Sequence, residues 1–93
     1  EKIMIEISQH AYDRALERYS LNRKSFTRLA EKAFEQGKRQ NDLKGKFKRY
    51  VSYLAKEYKS SPIVFGEFLF FFNGNRLITT YQIPSEFKKY LKL

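Results

Sequence analysis

From Pro62 to Phe72 the chain is almost continuously apolar, and from Arg76 to Ile83 polar and apolar residues alternate. Between the two runs lies Asn73-Gly74, residues that tolerate the positive φ of a tight hairpin turn. The pattern predicts a β-hairpin, with Leu77, Thr79, Tyr81 and Ile83 on one face of the second strand and Arg76, Ile78, Thr80 and Gln82 on the other. A turn at Gly74-Asn75 instead would shift the register and exchange the cross-strand pairs. Phe68–Phe72 lacks polar alternation, as expected of a strand covered on both faces. Glu67 interrupts this run. It is expected to face solvent, to transfer a proton or, above all, to pair with a cation such as Arg14 or Arg76, because burying a lone carboxylate is costly.

An isolated hairpin is marginal in water, so the remaining elements are expected to cover it. Ile3, Ile5 and Ile7 alternate with Met4 and Glu6, predicting a short edge strand. Ser8 is placed to cap a helix from Gln9 to Tyr19 whose apolar face holds Ala11, Tyr12, Ala15, Leu16 and Tyr19. Phe26, Leu29, Ala30, Ala33 and Phe34 repeat at helical spacing, with Asn22 or Ser25 as cap and Gly37 in the position of a C-terminal glycine. A polar connection over Lys38–Asn41 leads to a third helix that starts near Asp42 and runs to Tyr58. Its stripe is Leu43, Phe47, Tyr50, Val51, Leu54 and Tyr58, and Gly45 weakens its first turn. Ser60-Ser61-Pro62 ends it. Pro84-Ser85-Glu86 opens a short last helix with Phe87, Tyr90 and Leu91 at helical spacing. The order β-α-α-α-β-β-α, with helices packed on a small antiparallel sheet, makes one α+β domain over residues 1–93.

Charge narrows the range of partners. Nineteen Lys and Arg against ten Asp and Glu give a formal charge of +9, which favours a polyanion: RNA, DNA, an anionic membrane surface or an acidic protein. Lys38, Arg39, Lys44, Lys46, Lys48 and Arg49 face only Asp42 within their segment, although a solvated helix face has a similar composition. Tyr53 lies off the apolar stripe and is the candidate for stacking on an unpaired base, whereas Tyr50 and Tyr58 are placed in the core. The chain has no cysteine, which excludes disulfides and thiolate chemistry and fits a reducing compartment. Phe68–Phe72 is the longest apolar run, far short of the roughly 20 residues of a membrane span, and no signal peptide is visible. A cytoplasmic protein without a membrane partner is therefore expected.

The residues best suited to chemistry are on the first helix. His10, Arg14 and Arg18 are four apart and share one stripe. An imidazole moves protons near neutral pH, and guanidinium forks fit phosphate oxygens. Together they suit phosphodiester cleavage without a metal or other cofactor. The only histidine is His10, and no metal-ligand spacing is present. Thr79, Thr80 and Tyr81 add hydroxyls on the last strand, with one threonine expected to point away from the core. An ordinary solvated helix face can also carry the His10 stripe.

The pattern His10-Ala-x-x-Arg14-x-x-Glu17-Arg18 after a short strand, with the closing Leu77-Ile78-Thr79-Thr80-Tyr81, resembles RelE-type toxins, BrnT and its neighbouring families most of all. The resemblance covers the two ends of the chain; Leu21–Ser61 is outside it. It implies a RelE-like fold, helices on a twisted antiparallel sheet, and metal-free cleavage of RNA, free or on the ribosome, although some members of the superfamily poison topoisomerase instead. It also implies an antitoxin that covers the basic surface. It places His10, Arg14, Arg18, Thr79 and Tyr81 in the site. The alternatives are a non-catalytic nucleic-acid-binding module built on Lys38–Arg49 and a phage protein-interaction inhibitor.

Overall fold

The computed structural model describes residues 5–91, with the Leu91 side chain outside the description. The elements are β1 (Glu6–Ile7), α1 (Gln9–Tyr19), α2 (Arg23–Gln36), β2 (Lys38–Arg39), α3 (Gly45–Tyr58), β3 (Ser61–Phe65), β4 (Phe68–Asn73) and β5 (Arg76–Gln82). Gln40–Asp42 and Ser85–Leu91 are 3-10 segments. The fold is α+β. Its sheet has the order β1-β5-β4-β3-β2. It is mixed, because β1 runs parallel to β5 while the other neighbours are antiparallel. This corrects the fully antiparallel, three-strand expectation. The apolar run read as one strand is two, joined by a turn at Gly66-Glu67. Two-residue β1 and β2 complete the edges, with Lys38 and Arg39 drawn out of the expected polar connection. Of the first strand, Ile3 and Met4 lie outside the described residues.

The hairpin between β4 and β5 closes with Asn73 opposite Arg76, so its turn residues are Gly74 and Asn75. Gly74 has φ +66°, the left-handed conformation that glycine adopts without strain. Phe71 pairs with Thr79 and Phe72 with Leu77, leaving Ile78 as an extra residue in a β-bulge. The bulge turns Leu77 onto the opposite face from Thr79, Tyr81 and Ile83, breaking the alternation that the sequence suggested.

Both faces of the sheet are covered, as the uninterrupted β4 pattern requires. On one side Phe70, Phe72, Ile63 and Leu77 pack with Ala11 and Ala15 of α1 and Phe26, Ala30 and Ala33 of α2. On the other, Leu69, Phe71, Val64 and Ile83 pack with Leu43, Phe47 and Val51, and with Phe87 and Tyr90 of the last segment. Each fully buried Phe or Leu contributes about 1.5–3 kcal/mol of transfer free energy. Covering both faces also explains why Thr79 and Thr80 are both buried, where one had been expected to face out.

Local chemistry sets the helix ends. The Ser8 hydroxyl accepts from Ala11 N–H at 3.1 Å, and Asn22 accepts from Ser25 N–H at 2.8 Å. Asp42 does not cap α3. Its carboxylate accepts from Arg39 N–H at 3.0 Å, and the helix starts three residues later at Gly45, whose φ of +64° sets the entry. Gly37 ends α2 with φ −70° and ψ 160°, extended backbone rather than a left-handed cap. Glycine is required there by space, since a Cβ would collide with Ile63 Cγ2 and the Ala33 carbonyl.

Candidate functional site

Helix α1 is held against β5 by its own cap. The Ser8 hydroxyl, while accepting from Ala11, donates to the Ile78 carbonyl at 3.0 Å, and Ser8 N–H donates to Leu77 O at 3.1 Å. Ala11 and Ala15 are wholly buried, and such small side chains let a helix approach a sheet closely. The buried face of α1 is therefore narrow. Leu16, expected in the core, is 62% exposed. Tyr12 and Tyr19 flank the alanines on one side. The Tyr12 hydroxyl meets Thr27 Oγ1 at 3.0 Å, and the Tyr19 ring lies edge-on to Phe68. On the helical projection, Arg14 and Arg18 flank them on the other side.

That second flank meets the far side of β5. The Arg18 guanidinium lies 5.0 Å from the centre of the Tyr81 ring, a cation–π contact worth about 0.5–1 kcal/mol at an exposed site. The Tyr81 hydroxyl is hydrogen-bonded to that of Tyr58, in the last turn of α3, with ring centres 5.6 Å apart. This bond, then burial, raises the Tyr58 pKa above its ordinary value of 10.0, and the Arg14 charge opposes the rise. Burial likewise raises Tyr19, against the pull of Arg18. Two arginines and two phenols thus gather where α1, α3 and β5 meet. Tyr58 was read from the sequence as core alone. Its ring does pack on Phe71, and its hydroxyl reaches the rim. The position of a tyrosine at the end of an apolar stripe is the signal for that dual use.

The other candidate residues are distributed around this cluster. His10 is exposed, in a depression of about 430 Å³ lined also by Ser8, Asn73, Arg76 and Ile78. It therefore neighbours the start of β5, with Arg76 as a cation that the sequence pattern did not single out for it. Thr79 faces the α3 side and is 2% exposed; its hydroxyl is buried without a hydrogen-bond partner among the described residues. Thr80, on the opposite face, donates to Leu69 O at 2.9 Å. Glu67 is an exposed turn residue whose carboxylate meets Lys88 at 3.1 Å, so the expected pairing is present with a different cation.

Of the basic segment, Lys38 and Arg39 sit on edge strand β2, where the Arg39 guanidinium donates to Phe34 O at 2.6 Å. Lys44 and Lys46 are exposed around the start of α3. Lys48, Arg49 and Tyr53 share the outer face of α3, and Tyr53 is 66% exposed. Tyr50 is engaged inward, stacked on Phe87 at 4.7 Å. Among the described residues no His, Cys, Asp and Glu cluster suited to a metal occurs, and no helix is long and apolar enough to cross a membrane. Compared with known proteins, the chain matches no protein-family model, no curated protein and no solved structure.

Proposed function

We propose that this chain is a small, basic, metal-free endoribonuclease of the RelE-like toxin type, acting in the cytoplasm. The observation that carries the reading is the contact between its two separated motifs. The α1 stripe lies along β5, with Arg18 over the Tyr81 ring and Ser8 tied to Ile78.

Cleavage would proceed by proton transfer and charge stabilisation alone. His10 accepts the proton of a ribose 2′-hydroxyl. The 2′-oxygen forms a bond to phosphorus as the bond to the 5′-oxygen breaks. The leaving 5′-oxygen takes a proton from water, the His10 imidazolium returns its proton to the hydroxide so formed, and the product carries a 2′,3′-cyclic phosphate. Arg14 and Arg18 stabilise the charge on the phosphoryl oxygens. Tyr81 holds the Arg18 guanidinium by its ring. Thr79 lies on the same strand with its side chain buried, away from the bound RNA. The partners in this reading are RNA, free or on the ribosome, and an antitoxin that neutralises the cationic surface.

The test is cleavage of labelled single-stranded RNA in the presence of EDTA, repeated with translating ribosomes. Replacing one arginine, Arg14→Ala or Arg18→Ala, should slow cleavage by about 10²–10³-fold, the usual cost of one charge-stabilising donor. His10→Ala should abolish it with the fold intact by circular dichroism. Wild-type rates in His10→Ala and Arg14→Ala would remove these residues from the site. Salt-sensitive RNA binding with no cleavage in either assay would replace the enzyme by a binding module. Tight binding to an acidic protein with no affinity for nucleic acid would replace both by an inhibitor.

A further inference from the structure

Helix α3 presents its inner face to the core and a second, differently built face to solvent. Gln40, Lys48, Arg49, Ser52, Tyr53 and Lys56 line an open depression of about 860 Å³ along it. Arg49, Tyr53 and Lys56 follow i, i+4, i+7 spacing, so the phenol ring stands between two cations. One wall is fixed, because the Gln40 side-chain amide donates to the Ser52 hydroxyl at 2.6 Å. Among the described residues no carboxylate lies within ion-pair distance of Lys48, Arg49 or Lys56. The sole acid of the helix, Glu57, follows Tyr53 by four residues at the C-terminal end of the same stripe and forms no ion pair with these cations. Tyr53 is one of two large apolar side chains left exposed among the described residues.

An aromatic ring left in water among unneutralised cations has the composition of a single-strand platform. Its π-face accepts any unpaired base, and the flanking charges hold the phosphates on either side. Duplex recognition would leave the ring without a role, because paired bases present no free face. We propose that the outer face of α3 seats an unpaired RNA segment, with one base stacked on Tyr53 and its neighbouring phosphates on Lys48, Arg49 and Lys56. The inference shares with the proposed function the choice of RNA as partner. It requires no cleavage, since the surface is separate from His10, Arg14 and Arg18.

The test is fluorescence anisotropy with a labelled 2′-O-methyl oligouridine, whose blocked 2′-oxygen makes it uncleavable by the proposed route. Binding is compared for wild type, Tyr53→Ala, Tyr53→Phe and the triple reversal Lys48→Glu, Arg49→Glu, Lys56→Glu. Tyr53→Ala should weaken binding about tenfold, within the range of one base–aromatic stack, and Tyr53→Phe should bind like wild type. The triple reversal should lower the dependence of log affinity on log salt by roughly two, at about 0.7 per phosphate contact. Absence of wild-type binding, or wild-type affinity in both Tyr53→Ala and the triple reversal, overturns the surface. Tyr53-dependent binding with no RNA cleavage by wild type sinks the enzyme reading and leaves the surface standing; cleavage with a neutral Tyr53 does the reverse.

Discussion

At the scale of single residues, Ser8 connects the fold to the site. One hydroxyl caps α1 through Ala11 N–H and fastens it to the Ile78 carbonyl of β5. Ser8→Ala removes both bonds and should cost about 1–2 kcal/mol in urea unfolding, an ordinary loss for a helix cap. Gly37 illustrates a different constraint. Its backbone conformation suits any residue, yet a methyl group has no room against Ile63 and Ala33. Gly37→Ala should therefore destabilise by about 1–3 kcal/mol through overpacking, measurable in the same unfolding experiment. Tyr58 gives a pH prediction. Its folded-state pKa is raised above 10.0, so the neutral phenol is favoured by folding. The associated stability is complete below about pH 10 and is lost as pH rises through the folded value. A series of melting temperatures across the alkaline range should fall less steeply in Tyr58→Phe than in wild type, and an unchanged slope would remove that bond from the account.

At the scale of elements, legibility followed local physics. The caps at Ser8 and Asn22, the α2 stripe and the apolar face of α3 are visible in sequence because neighbours within one turn determine them. The two-face covering of β4 was visible in its unbroken apolar run. What failed depended on distant partners or on a single residue. Gly66-Glu67 splits an apolar run only because β3 and β4 can pair across it. The Ile78 bulge leaves no mark in the alternation, yet it sends Leu77 to the opposite face from Thr79. Strand β2 is two residues long, too short for any period, and exists through its pairing with β3, whereas β1 was legible in the isoleucine alternation and only its parallel direction was not. Leu16 matched the helical stripe, but the alanine-lined contact of α1 is too narrow to bury it.

At the scale of the molecule, the sheet separates two cores and sets β1 and α1 beside the distant β5. β1 and β5 pair in parallel, and α1 then packs along β5. The two motifs about 60 residues apart in sequence thereby become one surface, an outcome that the sequence implied only through resemblance. The candidate stripe His10, Arg14 and Arg18 was legible from spacing. The addition of Tyr58 was not, because α3 brings its hydroxyl to Tyr81 from the opposite side of the sheet. Cations recur on two separate surfaces, Arg14 and Arg18 at the α1–β5 rim and Lys48, Arg49 and Lys56 on the outer face of α3.

The central claim is that the α1–β5 rim cuts RNA through the 2′-hydroxyl. The most direct measurement is the chemistry of the product ends after single-stranded RNA is incubated with wild type and with His10→Ala in EDTA, with and without translating ribosomes. The account predicts 2′,3′-cyclic phosphate ends with wild type and none with His10→Ala. Intact RNA under every condition, or the same products at the same rate from His10→Ala, would contradict it.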